Sequence, residues 1–179
     1  MQLDDRELFE TYKETVYHYC LYMLRSRADA EDVCQEVFVK ALLADRSGID
    51  YLKAWLMKIA ANECHSMMRR RTNGEIKEKR AFWLSMPLRL TQTPEQSYEK
   101  SETSGEFEEV LKSLKPKLRE ALLLYYMADL STAETAEALG VPLGTAKSRI
   151  SRGLQALKKV VPNQTAMPKK EGDHHASSY

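Results

Sequence analysis

The sequence predicts an all-α protein: two small helical domains joined by a flexible linker, the second containing a helix-turn-helix. Three observations carry that expectation. Apolar residues recur at helical spacing through most of the chain, and no stretch alternates as a strand would. Only 7 glycines and 6 prolines interrupt 179 residues, and they gather where turns are wanted. Between about Ser85 and Gly105 the pattern dissolves into Pro, Thr, Ser, Gln and Glu, a linker composition. The expected divisions are therefore a first domain over 1–84, a linker over 85–105 and a second domain over 106–161. The tail, 162–179, has no periodicity and reads as disordered.

The first helix is expected from Asp4 to Leu24, with Leu8, Phe9, Tyr12, Val16, Tyr19, Cys20 and Met23 at helical spacing. A second starts near Ala28 and Asp29, where acidic side chains favour a helix N-terminus, and runs to Leu43. Its apolar set is Ala30, Val33, Cys34, Val37, Phe38, Ala41 and Leu42. After a loop at Asp45–Gly48, a third helix spans Tyr51 to Arg71 and buries Leu52, Trp55, Leu56 and Ile59. In the second domain, periodicity runs through Phe107, Val110, Leu111 and Leu114, breaks at Pro116, and resumes at Leu118, Ala121, Leu122 and Tyr125. Two short helices joined at Gly140 follow.

Composition narrows the function classes. With 43% apolar and 30% charged residues the chain has enough apolar surface for a folded core, and a net charge of +1 argues against a generic polybasic coat for nucleic acid. No apolar run approaches a membrane span and the acidic start does not read as a secretory signal, so a cytoplasmic location is expected. Cys20, Cys34 and Cys64 are too few for a disulfide framework. With His18 and His65 they make an imaginable metal set, but the close Cys-x-x-Cys spacing of structural zinc sites is missing, and Cys20 and Cys34 fall on apolar faces. Core cysteines and no metal are expected. No Gly-rich phosphate loop, Ser-His-Asp order or His-Glu-x-x-His appears, so neither catalysis, a cofactor nor a small-molecule substrate is expected.

Residues 131–150 read as a helix-turn-helix. Ser131 or Thr132 caps a helix with Glu134 in its first turn, Ala136 is small where two helices cross, and Gly140 supplies the left-handed residue that ends it. Pro142 suits the start of the next helix. In that helix Ala146, Ile150, Leu154 and Leu157 face inward, Thr145, Lys147, Ser148, Ser151 and Arg152 face outward, and every charged residue from Leu143 to Val160 is basic. A basic outer face behind a positive helix end fits a major groove, where phosphates anchor the helix and polar side chains touch base edges.

The N-terminal half offers two further faces. Asp29, Asp32, Gln35 and Glu36 form an acidic outer face on the second helix, which by periodicity alone is equally a solvated face. On the third helix Lys58, Asn62, His65 and Arg69 recur at i, i+4, i+7 and i+11, making one polar stripe that Arg69, Arg70 and Arg71 extend. Such a stripe can track a nucleic-acid backbone while Asn62 reads a base, although a merely solvated stripe is as consistent with the spacing.

Three blocks together resemble the extracytoplasmic-function group of bacterial sigma factors: Asp29-Ala-Glu-Asp-Val-Cys-Gln-Glu-Val-Phe38, Ala54-Trp-Leu-Met-Lys-Ile-Ala-Ala-Asn62 and Gly140-Val-Pro-Leu-Gly-Thr-Ala-Lys-Ser-Arg-Ile150. The likeness covers about residues 5–72 and 106–160. It implies a transcription initiation factor, of a group tied to stress or envelope responses, that brings core RNA polymerase to promoter DNA. By position, Asp29, Asp32, Gln35 and Glu36 would bind the polymerase, and Lys58, Asn62, Arg69 and Arg70 the minus-ten element as single-stranded DNA. Pro142, Gly144, Thr145, Lys147, Ser148, Ser151 and Arg152 would meet the minus-thirty-five element. Trp55 matches a family tryptophan expected mostly in the core. The resemblance also implies an anti-sigma partner, in this group often membrane-anchored, holding a closed form that the linker permits. Two positions depart from the family pattern: Thr135 replaces an aliphatic residue, and Gly153-Leu154 replaces Ala-Arg. A stand-alone helix-turn-helix regulator is the alternative, explaining residues 131–157 but not the first domain.

Overall fold

The structure, a computed structural model, describes residues 3–85 and 111–160, with side chains over 3–74 and 111–159. The expected linker and tail, and the helical positions Phe107 and Val110, lie outside the described residues, apart from Ser85.

Helix α1 spans Asp5–Leu24. Asp4 and Glu7 cap it reciprocally: the Glu7 amide donates to Asp4 Oδ1 at 2.7 Å and the Asp4 amide to Glu7 Oε2 at 3.0 Å. It ends on Arg25, whose φ of 56° turns the chain sharply into α2, Arg27–Leu43. Ser26 caps α2 by accepting from the Asp29 amide at 3.3 Å. Most of the expected apolar faces are buried, with four exceptions, of which Tyr12 is half-buried. Phe9 is 42% exposed and meets Phe38 edge-on at 4.9 Å. Leu42, in the last turn of α2, is 40% exposed. Cys34 is only half-buried.

Helix α3 spans Leu52–Ser85, well past the expected end at Arg71. Residues 72–85 are mostly good helix formers, and Gly74 alone does not outweigh them. Its buried face is Ala54, Leu56, Met57, Ala60, Ala61 and Cys64. Leu52, Trp55 and Ile59, expected to be buried, are only partly so and pack against its border. Alanines let α1 and α2 approach closely, so the large side chains pack at the flanks of the contact instead.

Residues 111–113 are helical, and Pro116 then opens α4, Pro116–Leu122, at a position where its missing N–H costs nothing. The expected periodicity through Tyr125 passes into a π-helical turn, Leu123–Met127. Helix α5, Thr132–Leu139, begins with a capping box between Ser131 and Glu134 and ends on Gly140 at φ 61°, as expected. Helix α6 spans Leu143–Val160, and the Pro142 carbonyl accepts from Thr145 and Ala146, so the proline caps this helix rather than starting it. The two units pack together: α5 lies along α3, and α4 with the π-helical turn lies against α1.

Candidate nucleic-acid interface

The inward face of α6 is Ala146, Ile150 and Leu157, with Leu154 partly covered. Gly153 is also buried, because a Cβ there would stand 2.7 Å from Leu122 Cδ1 and 2.8 Å from Leu122 Cγ. The glycine that departs from the family pattern is thus what lets α6 cross α4 closely. Anchored in this way, the helix turns Pro142, Gly144, Lys147, Ser151 and Arg152 to solvent. Thr145 and Ser148 are half-buried, and the Ser148 hydroxyl donates to the Thr145 carbonyl at 2.9 Å. The expected recognition residues therefore fall on one accessible basic face behind a helix N-terminus, a geometry suited to duplex phosphates and base edges. The other departure, Thr135, is fully buried with no hydrogen-bond partner for its hydroxyl.

On α3 the expected stripe divides. Lys58 and Asn62 are exposed, and Asn62, His65, Ser66, Met68 and Arg69 line one shallow groove. Arg70 points the other way, into a groove between α2 and α3 shared with Asp32, Glu36, Lys40 and Glu63. Arg71 is structural: it donates to the Leu24 carbonyl at 3.0 Å and pairs with Asp29. Of the acidic set on α2, Asp32, Gln35 and Glu36 are open to solvent, while Asp29 gives its charge to that tie.

The middle of the stripe is not free. His65 Nε2 lies 2.9 Å from Oε1 of Glu120 on α4, and the same oxygen accepts from the Tyr19 hydroxyl at 3.4 Å. Glu120 is 4% exposed, so a carboxylate of the second unit is held inside the seam by two side chains of the first. The acceptor raises the His65 pKa, against the opposing effects of partial burial and of Arg69 nearby. This seam was not read from the sequence. Its signal in the sequence is the unbroken apolar run Ala121 to Met127 directly after Arg119 and Glu120, too wide for a single buried face.

Cys20 and Cys64 lie together in the core between α1 and α3, where mutual contact and burial push the Cys20 thiol far up, and burial foremost pushes Cys34 up to about 12. Neither is a ready thiolate nucleophile or ligand. Among the described residues no three His, Cys, Asp or Glu side chains gather as a metal site, and no helix is long and apolar enough to cross a membrane.

Two family models match the chain: Sigma-70 region 2 over residues 8–74 and Sigma-70 region 4 over 104–157. The chain is 30% identical over 168 residues to the ECF RNA polymerase sigma factor SigW of Bacillus subtilis, covering 86% of each. It is 33% identical over 156 residues to the ECF sigma factor SigE of Mycolicibacterium smegmatis, covering 85% of this chain and 59% of that one. Among solved structures it resembles the sigma factor RpoE of Bartonella quintana, solved in complex with the anti-sigma factor NepR. There the TM-score is 0.70 at 25% identity, over 90% of this chain and 99% of that one. The match over residues 8–74 removes the stand-alone regulator, which has no use for such a domain.

Proposed function

We propose a division of labour between the two units on one premise: the chain belongs to the extracytoplasmic-function family of RNA polymerase sigma factors, non-catalytic proteins of transcription initiation. Residues 1–84 serve as the domain that docks on the polymerase and captures the minus-ten element; residues 106–161 serve as the minus-thirty-five reader, joined by the linker over 85–105. Asp32, Gln35 and Glu36 offer the docking face, with Asp29 at its margin holding α2 to α3 through Arg71. Lys58, Asn62 and Arg69 take the separated strand, with Arg70 at the edge nearer the polymerase face. Lys147, Ser151 and Arg152, flanked by Pro142, Gly144, Thr145 and Ser148, meet the duplex.

No bond is made or broken. Opening DNA costs on the order of 1–2 kcal/mol of stacking per base-pair step, which contacts to the separated strand must offset. Two modest DNA contacts on one chain act as a bivalent binder, so neither need be tight alone. The observation that carries the reading is the sorting of α6 into a packed apolar face and an open basic one.

The closed packing of the two units supports a resting form held by an anti-sigma protein, as the RpoE structure holds its own factor with NepR. Such a partner in this group is often membrane-anchored, while the sigma factor itself works in the cytoplasm with the polymerase, in a stress or envelope response. The test is run-off transcription with purified core polymerase on a promoter from the gene's own upstream region. A specific transcript that Asp32→Lys with Glu36→Lys abolishes, together with loss of core binding, is expected. A protein that neither binds core polymerase nor yields a transcript overturns the reading.

A further inference from the structure

The open face of α6 begins with an apolar residue that neither its basic anchors nor its polar readers explain. Leu143, the first residue of the helix, is 46% exposed. Among the described residues it is the one large apolar side chain that the second unit leaves exposed. It stands at the flank of the inward face, three residues before the buried Ala146. The same side chain lies one turn before Lys147 and two before Ser151, both open to solvent.

A lone leucine on an ordinary surface asks for no account. Two features of its surroundings set this one apart. It heads the line of side chains that faces the duplex on the proposed division of labour. Beside it Gly144 is helical, and a Cβ there would meet nothing within 4 Å. Neither a left-handed turn nor internal packing calls for glycine, which weakens a helix. Its missing side chain leaves the backbone next to Leu143 open to close approach from outside.

A recognition helix brings its N-terminal residues to base edges in the major groove. Those edges are lined with hydrogen-bonding atoms, and thymine alone adds an apolar group, its 5-methyl. A protein partner matches the place less well, because interface cores shed lysine and Lys147 is one turn away.

We propose that Leu143 is a specificity-determining residue: it packs on the methyl group of a thymine in the minus-thirty-five element. This role rests on the proposed minus-thirty-five reading and adds a base preference to it. Lys147 and Ser151 make polar contacts along the same line, while Leu143 selects an A·T pair at its end.

The experiment uses core polymerase assembled with the full chain, and a duplex from the gene's own upstream region. Footprinting locates the protected minus-thirty-five stretch. Each thymine in it, on either strand, is then replaced by uracil, which pairs alike and lacks only the methyl. At one position affinity should fall about threefold to fivefold, the worth of one buried methyl. Leu143→Ala should weaken binding to the thymine duplex by at least that factor and make uracil at that position indifferent. Leu143→Met, which keeps an apolar side chain of similar reach, should keep the preference. Because Leu143 is exposed, Leu143→Ala should leave the Tm of the free chain within about 2 °C. No protected stretch at all overturns the proposed function and this role with it. Protection without a uracil effect at any position, or with the same effect in Leu143→Ala as in the parent, overturns this role alone and leaves the leucine to a protein partner.

Discussion

Helices α3 and α6 carry similar basic, polar faces, yet they stand differently toward the rest of the molecule. On α6, Lys147, Ser151 and Arg152 are open, and the helix is fixed from behind by Leu122 against Gly153. On α3, Lys58 and Asn62 are open but His65, in the middle of the stripe, is tied to Glu120 of the other unit. Composition alone does not separate a surface that is ready from one that is gated; the neighbour does. On the proposed division of labour, duplex recognition is available in the closed form, and strand capture waits for the seam to part.

The largest effect should come from α6. Lys147→Glu with Arg152→Glu is expected to weaken promoter-duplex binding on the order of 100-fold, measured by fluorescence anisotropy at fixed salt. The equivalent reversal on α3, Lys58→Glu with Arg69→Glu, should change duplex binding by the free protein far less. Equal losses would break the contrast between the two helices.

Next in size is the seam. Glu120→Gln removes the charged acceptor for His65 and Tyr19, and should lower stability by about 1–3 kcal/mol in denaturant unfolding. The same variant should bind single-stranded minus-ten DNA more tightly than the parent, because the stripe is freed. A loss of stability without that gain would mean the gate lies elsewhere.

The seam also carries a pH dependence with a defined sign. The His65 pKa is raised in the folded state by Glu120, so its contribution is complete below the ordinary histidine value of about 6.5. That contribution fades as pH rises through the raised value. Unfolding midpoints followed from mildly acidic to mildly alkaline pH should show the parent losing stability that His65→Gln never had. Parallel curves for the two would separate His65 from the seam's strength.

Two smaller effects probe how α6 is held. Gly153→Ala drives a methyl against Leu122; an overpacking cost of roughly 1–3 kcal/mol outweighs the gain of up to about 1 from replacing a helical glycine. A net loss of about 1 kcal/mol in thermal unfolding is expected. Thr135→Val removes a buried hydroxyl with no partner and should gain about 1 kcal/mol.

Much of this was legible in the sequence because its causes are local. Capping at Ser131 and Glu134, the left-handed Gly140 and the inward face of α6 are set within a few residues of chain. What escaped depends on distant partners. The buried face of α3 sits on small residues, Ala54, Ala60 and Ala61, which periodicity weighs too lightly against Trp55 and Ile59. His65 fits a solvated stripe by spacing, and only Glu120, far along the chain, makes it a contact between units. Asp29 likewise belongs to the acidic face by register, until Arg71 reaches it. Gly153 reads in the sequence only as a departure from the family pattern, and Leu122 makes it a crossing point.

Glu120 and Leu122 sit two residues apart on α4, one locked in the seam and the other wedged against Gly153. Mechanically, the last turn of α4 carries both the latch and the seat of the reading head. On the proposed division of labour, a pull that frees the carboxylate from His65 would also displace the Leu122 side chain on which α6 rests. Release and re-aiming of the reading head would then be a single motion.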